Sequence, residues 1–181
     1  MVKIFKITNR SDLTKAQNGS KPKQVSYPPP VNYQKIDEFV SRSAQLTQEN
    51  IKWLKKEGVT DVVNFETVYS KPMQFSEQKA LERLDMTYHG IPTIGNDPKE
   101  IRINNFFKLI EQIRESNGQK KLHIHCTNGG NKTGFYSLLY KTKYKIGTWE
   151  NNVKEMIKMG HDVEAYPNLI KFAKNYIDKL K

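Results

Sequence analysis

The 181-residue chain contains a single cysteine, Cys126. One thiol excludes an intramolecular disulfide framework and any metal site built from cysteines alone. No apolar run approaches the ~20 residues that a membrane-spanning helix needs, and the first 15 residues lack the apolar stretch of a secretory signal. These absences exclude integral membrane proteins and disulfide-stabilised scaffolds. We expect a cytoplasmic location, or secretion as an effector without a readable signal.

Apolar residues are also scarce, at 36%, while charged residues make up 27%. This composition is polar but globular, and the length favours one domain. Turn and extended-chain signals, including Pro28–Pro30, predict an irregular N-terminal extension over residues 1–34, in which residues 2–7 fit an edge strand. Residues 35–181 are predicted to form a single domain.

Acidic residues are outnumbered, with 30 Lys and Arg against 19 Asp and Glu, a net charge of +11. This excess favours anionic partners such as phosphate esters and permits peripheral contact with an anionic membrane, although a solvated lysine-rich face explains it equally well. No zinc finger, RNP-type aromatic motif or basic zipper is present, so no specific nucleic-acid partner is expected.

Short apolar runs alternate with helical patterns along the chain. Strands are predicted at 61–65, 86–91 and 122–125, and helices at 47–57, 76–84, 97–117, 135–143, 149–159 and 167–180. Alternation of this kind predicts an α/β fold with a central, mostly parallel sheet of four to five strands flanked by helices.

Residues 126–132, which we call the cysteine loop, connect a predicted strand to a predicted helix. Cys126 ends the strand, and Gly129 and Gly130 allow the backbone to curl so that successive N–H groups point inward. Such a concavity at a helix N-terminus binds a phosphate dianion, and its positive field favours a thiolate. The loop is not an ATP-type P-loop, because Asn131 precedes Lys132 where that motif needs glycine. The alternative is that Cys126 is a small buried hydrophobe.

The segment from His125 to Gly134 resembles the signature of the cysteine-dependent protein tyrosine phosphatase superfamily: His-Cys, five residues, Arg, then Ser or Thr. The flanking segments Arg42-Ser43-Ala44-Gln45, Val62-Val63-Asn64 and Thr148-Trp149 are similar to those of small atypical dual-specificity phosphatases. The resemblance covers residues 36–162 and implies a dual-specificity phosphatase fold. It departs from the family at Lys132, where the family has Arg.

The resemblance also implies roles for individual residues. Cys126 is the expected nucleophile, Thr133 stabilises the departing thiolate, and His125 supports the loop. Lys132 stands in for the Arg that grips two phosphate oxygens. The phosphate-binding amides are those of Thr127, Asn128, Gly129, Gly130, Asn131 and Lys132. No cofactor and no metal are implied.

The replacement of Arg by Lys at position 132 leaves open whether the chain turns over phosphate esters or only binds them. Arg offers a planar fork that matches phosphate, whereas Lys is a point charge, and losing one oriented donor costs about 10²–10³ in rate. The first hypothesis is a phosphatase acting on a phosphoprotein, a phosphoinositide or a related monoester, with turnover impaired by Lys132. The second is a pseudophosphatase that binds a phosphorylated partner or lipid without turnover. A third, action on RNA 5′ phosphates, rests on the charge alone.

A phosphatase of this type needs a carboxylic acid to protonate the leaving oxygen. Asp97 lies in the region where the family carries it, and Asp85 is a second candidate. Asp97 followed by Pro98 and Glu100 also fits a helix start with Asp as N-cap, a role that lowers the pKa of a carboxyl and opposes acid catalysis. Both interpretations of Asp97 remain open from the sequence.

The two histidines of the predicted strand 122–125 and Arg42 each allow a functional and a structural interpretation. His123 and His125 alternate on one strand and therefore share a face, but no third metal ligand lies close in sequence. Arg42 can contact the substrate or a structural carboxylate, and we favour the structural role.

Overall fold

The computed structural model describes residues 26–66 and 71–179, so the strand predicted over residues 2–7 lies outside the described part. The strands are β1 (Gln34–Lys35), β2 (Val40–Ser43), β3 (Asp61–Asn64), β4 (Thr87–Gly90) and β5 (Leu122–His125). The helices are α1 (Gln48–Lys56), α2 (Lys71–Glu82), α3 (Glu100–Arg114), α4 (Asn131–Lys143), α5 (Trp149–Lys158) and α6 (Asn168–Asp178).

The five strands form one sheet in the order β1-β2-β5-β3-β4. β2, β5, β3 and β4 are parallel, and the two-residue β1 pairs antiparallel with β2 at one edge. The predicted α/β fold with a mostly parallel sheet is confirmed. The central strand β5 is buried along its whole length, as expected for a parallel strand covered on both faces.

Each face of the sheet carries its own apolar cluster. Under α1 and α2 lie Leu46, Ile51, Leu54, Val59, Val62, Leu81 and Met86. The larger cluster on the other face includes Val63, Ile124, Cys126 and residues of α3, α4 and α6, such as Ile103, Phe106, Phe135, Leu139 and Leu169. Residues that alternate along β5 therefore face different helices, which places His123 and His125 opposite Ile124 and Cys126.

Two helix boundaries near the cysteine loop differ from the sequence prediction. α4 begins at Asn131 rather than residue 135, so Lys132 and Thr133 lie in its first turn. α3 begins at Glu100 with Lys99 as N-cap, and no side chain caps it. The proposed capping role of Asp97 is therefore wrong. Over the described residues, no helix has the length and apolarity to span a membrane.

Candidate active site

The cysteine loop leaves the carboxyl end of β5, between the parallel neighbours β2 and β3. Ligands of open α/β sheets bind at this edge, because loops from adjacent strands converge there. The loop bends through residues 127–130 and enters α4 at Asn131. It is therefore a compact turn, not an extended segment.

Four consecutive carbonyl groups of the loop accept hydrogen bonds from outside it. Thr127 O accepts from the backbone N–H of Gln45 at 3.0 Å, and Asn128 O accepts from Asn32 Nδ2 at 3.1 Å. Gly129 O accepts from the guanidinium of Arg42, and Gly130 O accepts from Gly134 N at 3.0 Å. The Gly130 bond is the first intrahelical bond of α4, whereas the other three contacts hold the carbonyls of residues 127–129 against neighbouring segments.

Both glycines are required by close packing. A Cβ on Gly129, whose φ is +75°, would lie 2.8 Å from the backbone of Ser43 and Ala44. A Cβ on Gly130 would lie 2.1 Å from Gly160 O at the end of α5. The loop is thus wedged between the end of β2 and the turn after α5, with no room for side chains at these two positions.

The turn after α5 also binds the loop through hydrogen bonds to Asn131. Asn131 Oδ1 accepts from His161 Nδ1 at 3.0 Å and from the backbone N–H of Asp162 at 2.8 Å. His161 is 5% exposed, and burial lowers its pKa, which favours the neutral ring. Sequence analysis missed His161, because nothing in the sequence relates it to a segment 30 residues earlier.

The thiol is buried against the larger apolar cluster. Cys126 is 2% exposed, and its Sγ donates to Asn128 Oδ1 at 3.9 Å. The same Oδ1 accepts from Gly130 N at 3.1 Å. Asn128 therefore links the thiol to a loop amide, and a phosphate oxygen is the chemical equivalent of this acceptor.

Glu66, in the segment after β3, binds the loop cation. Its carboxylate accepts from Thr127 N at 2.7 Å and from Lys132 Nζ at 3.0 Å. Lys132 and Glu66 have side-chain exposures of only 14% and 12%. Burial raises the pKa of Glu66, but the hydrogen bonds from Thr127 and Lys132 outweigh this effect, so its pKa lies below its ordinary value. Glu66 was missed because it lies 66 residues from Lys132 in sequence.

His125 is held from the opposite face of the sheet. Its Nε2 bonds Glu77 Oε1 at 2.7 Å, and both side chains are buried. Glu77 Oε2 also accepts from Gln45 at 2.8 Å and Asn64 at 3.1 Å. The residue before the nucleophile candidate is therefore fixed by a buried carboxylate on α2 that sequence analysis did not identify.

His123 lies on the same face of the sheet as His125, and its side chain is neutral. Its Nδ1 bonds Ser41 Oγ at 2.9 Å, and its Nε2 bonds Ser43 Oγ at 2.8 Å. Burial, followed by the nearby His125, lowers its pKa well below the ordinary value. With both nitrogens engaged, His123 cannot bind a metal, and no described group of His, Cys, Asp and Glu has a metal-binding arrangement.

The two acid candidates lie at opposite ends of the parallel strands, because Asp85 precedes β4 and Asp97 follows it. Asp97 follows β4 at the same edge as Cys126, is 69% exposed and pairs with Lys99. Its neighbour Asn96 bonds Ala165 O at 2.8 Å, which ties this segment to the turn after α5. Asp85 precedes β4 at the opposite edge, about 13 Å away for a four-residue strand. The arrangement therefore disfavours Asp85.

Comparison with solved structures finds proteins of similar fold. No protein-family model matches the chain, and no curated protein matches its sequence. The core catalytic domain of the PP-IP phosphatase SIW14 from S. cerevisiae has 18% identity and a TM-score of 0.65, covering 82% of this chain and 87% of its own. TpbA of P. aeruginosa, in complex with pTyr, has 15% identity and a TM-score of 0.63, covering 82% and 86%.

Tk-PTP has 16% identity and a TM-score of 0.67, covering 82% of this chain and 95% of its own. The chain has the fold of the cysteine-based PTP-like phosphatases. The resemblance read from the sequence is confirmed at the level of the fold. In this PTP-like fold the loop containing Cys126 follows a strand, as the sequence pattern predicted, and that strand, β5, is central in the sheet.

The wedged glycines give a first test. We expect Gly129→Ala to lower the free energy of unfolding by about 1–2 kcal/mol for the positive φ, plus about 1–3 kcal/mol for overpacking. Gly118→Ala is the matched control, because Gly118 has a φ of +80° but no atom within 4 Å of its Cβ. Urea denaturation measures both variants. Equal losses would show that the loop is not packed as described.

The Glu66–Lys132 pair predicts a pH dependence. A carboxyl whose pKa is lowered on folding stabilises the fold above its unfolded pKa, and the stabilisation is lost as pH falls through the folded pKa. Glu66→Gln should therefore be less stable than the native chain by roughly 1–3 kcal/mol near pH 7, and the two should converge once the pH falls below the folded pKa of Glu66. Urea denaturation near pH 7 and below that pKa measures this. A gap that persists in acid would contradict the role of the ionised pair.

Proposed function

We propose that the protein is a cysteine-dependent phosphatase that hydrolyses phosphate monoesters. The observation that carries the proposal is the bonding of the Thr127, Asn128 and Gly129 carbonyls to donors outside the loop, from which we infer that the loop amides face the Cys126 sulfur. Convergent N–H groups at the start of a helix stabilise a phosphate dianion and the charge of its transition state.

The reaction proceeds in two steps. The Cys126 thiolate attacks phosphorus, the bond from phosphorus to the ester oxygen breaks, and the leaving oxygen takes a proton from Asp97. Water then attacks the cysteinyl phosphate with Asp97 as base, releasing inorganic phosphate and restoring the thiolate. Thr133, which is fully buried with an unpartnered hydroxyl among the described residues, stabilises the thiolate as it leaves. His125 supports the loop from behind.

Lys132 limits this chemistry. Its ammonium carries the charge of the family's Arg but is already bonded to Glu66, and it has no second, parallel donor for phosphate. We therefore propose a phosphatase of low turnover. The alternative is a phosphate-binding pseudophosphatase, favoured by the same Lys132–Glu66 contact.

The substrate class that we propose is taken from the proteins of similar fold. SIW14 is a PP-IP phosphatase, and TpbA is seen with pTyr. We propose that this chain takes a phosphate on a protein side chain or on an inositol. Both groups present a terminal dianion to the loop. The exposed Ile94 and Val163, which flank the tied segments at Asn96 and Ala165, offer apolar contacts to the group that bears the phosphate.

Hydrolysis of a generic aryl phosphate tests the proposal. We expect Cys126→Ser to lose turnover to the background rate, because a hydroxyl at this position is not ionised. Lys132→Arg should raise kcat/KM by up to about 10², since the planar fork is restored. If the native chain and Cys126→Ser hydrolyse equally slowly but bind phosphate saturably, the pseudophosphatase is correct.

The proposed role of Asp97 as the general acid is tested by comparing substrates whose leaving groups differ in acidity. Asp97→Asn should lower kcat about 10²–10⁴-fold for an alkyl phosphate, whose leaving oxygen needs a proton, but only slightly for an aryl phosphate with an acidic leaving group. Glu115→Gln, an exposed carboxylate at the end of α3, is the control. Equal losses on both substrates would exclude Asp97 as the acid.

A further inference from the structure

Arg42 is a buried cation on the same face of the sheet as Cys126. In the parallel pairing of β2 with β5, Arg42 lies beside Ile124, two residues before Cys126. Partners in adjacent strands direct their side chains to the same face, and alternation returns Cys126 to that face. Arg42 is 1% exposed, the largest of the fully buried side chains.

The guanidinium reaches the underside of the cysteine loop. Its Nη2 donates to Gly129 O, while its Nε is buried and has no hydrogen-bond partner among the described residues. A buried guanidinium with an unsatisfied donor is costly unless a negative charge lies nearby. The hydrogen bond of Arg42 is made to a backbone carbonyl, and the carboxylate of Glu155 acts on Arg42 electrostatically.

The local charges leave one positive charge in excess. Lys141, 8% exposed, is bonded at 2.8 Å to both carboxylate oxygens of Glu155. Glu155 also acts electrostatically on Arg42, so one carboxylate serves two buried cations. Burial lowers the pKa of Arg42 to about 10, and the opposing influences are first Cys126 and then Glu155. A negative charge on Cys126 would balance this excess.

We propose that Arg42 is a positioning residue that supplies the fixed positive charge beneath the Cys126 thiolate and holds Gly129 O outward. The inference rests on the proposed function for its purpose, since a phosphatase needs the thiolate. It also accounts for a loop that carries Lys at position 132: charge stabilisation of the sulfur comes from β2, below the loop, while Lys132 is bound to Glu66.

Other ionisable groups near the cysteine loop must be distinguished from Arg42. From the opposite face, His125 is paired with Glu77, and the neutral His123 is bonded to two serines. From above, Lys132 is paired with Glu66. Lys132 is neutralised by its carboxylate partner, whereas Arg42 lies on the same face of the sheet as Cys126 and shares Glu155 with Lys141.

A pH titration of the thiolate tests the proposal. Because Cys126 is the chain's single cysteine, the ultraviolet absorbance of the thiolate reports on it alone, with Cys126→Ser as the blank. We expect Arg42→Met to shift the titration about one pH unit higher, an about tenfold loss of thiolate at acidic pH, and Arg42→Lys to stay close to the native chain.

Arg114→Met is the matched control. Arg114 ends α3 at the opposite edge of the sheet, between the rings of Phe39 and Tyr144 at 4.5 and 4.2 Å, and its loss changes the net charge equally. An unchanged thiol titration in a folded Arg42→Met, or an equal shift in Arg114→Met, would overturn the proposal.

A second measurement uses the native fold, in case Arg42→Met does not fold. The buried Nε–H of Arg42 should give a protected NMR signal that shifts at the pH where the thiol ionises, and this step should vanish in Cys126→Ser. A signal that is insensitive to that titration would overturn the proposal. Neither measurement uses turnover. A chain that fails to hydrolyse phosphate esters but shows these couplings loses the proposed function and keeps this inference.

Discussion

The outward hydrogen bonding of the cysteine loop is the constraint on which the site depends. Four donors from three separate places bond the loop carbonyls: the backbone N–H of Gln45, the side-chain amide of Asn32, which also donates to Met159 O, the guanidinium of Arg42 and the N–H of Gly134. These donors hold the carbonyls and therefore set which way each peptide plane faces. The proposed inward direction of the amides depends on these contacts.

The two faces of the sheet hold different parts of the site. On the side of α1 and α2, hydrogen bonds from Ser41, Ser43 and Glu77 fix the two histidines of β5. On the side of α4, Arg42 and Cys126 share a buried region with excess positive charge. Above both, Glu66 restrains Lys132. The sulfur thus lies where a rigid backbone, a buried cation and a helix start meet.

Sequence reasoning was effective where the signal was local. The strand-glycine-helix pattern located the cysteine loop, and alternation along β5 correctly placed His123 and His125 on one face. It failed where contacts join distant segments: Glu66 with Lys132, His161 with Asn131, and Glu77 with His125. It also started α4 too late, because Gly130 and Gly134 look like helix breakers when the tight contacts with Gly160 and Met156 are unknown.

The most direct test of this account is a crystal structure of the native protein grown with tungstate, an oxyanion that mimics phosphate. The account predicts that tungstate lies above Cys126 Sγ, with its oxygens within hydrogen-bond distance of backbone N–H groups from residues 127–132. Tungstate bound at another surface, with the loop amides still bonded only to Glu66 and Asn128, would contradict it.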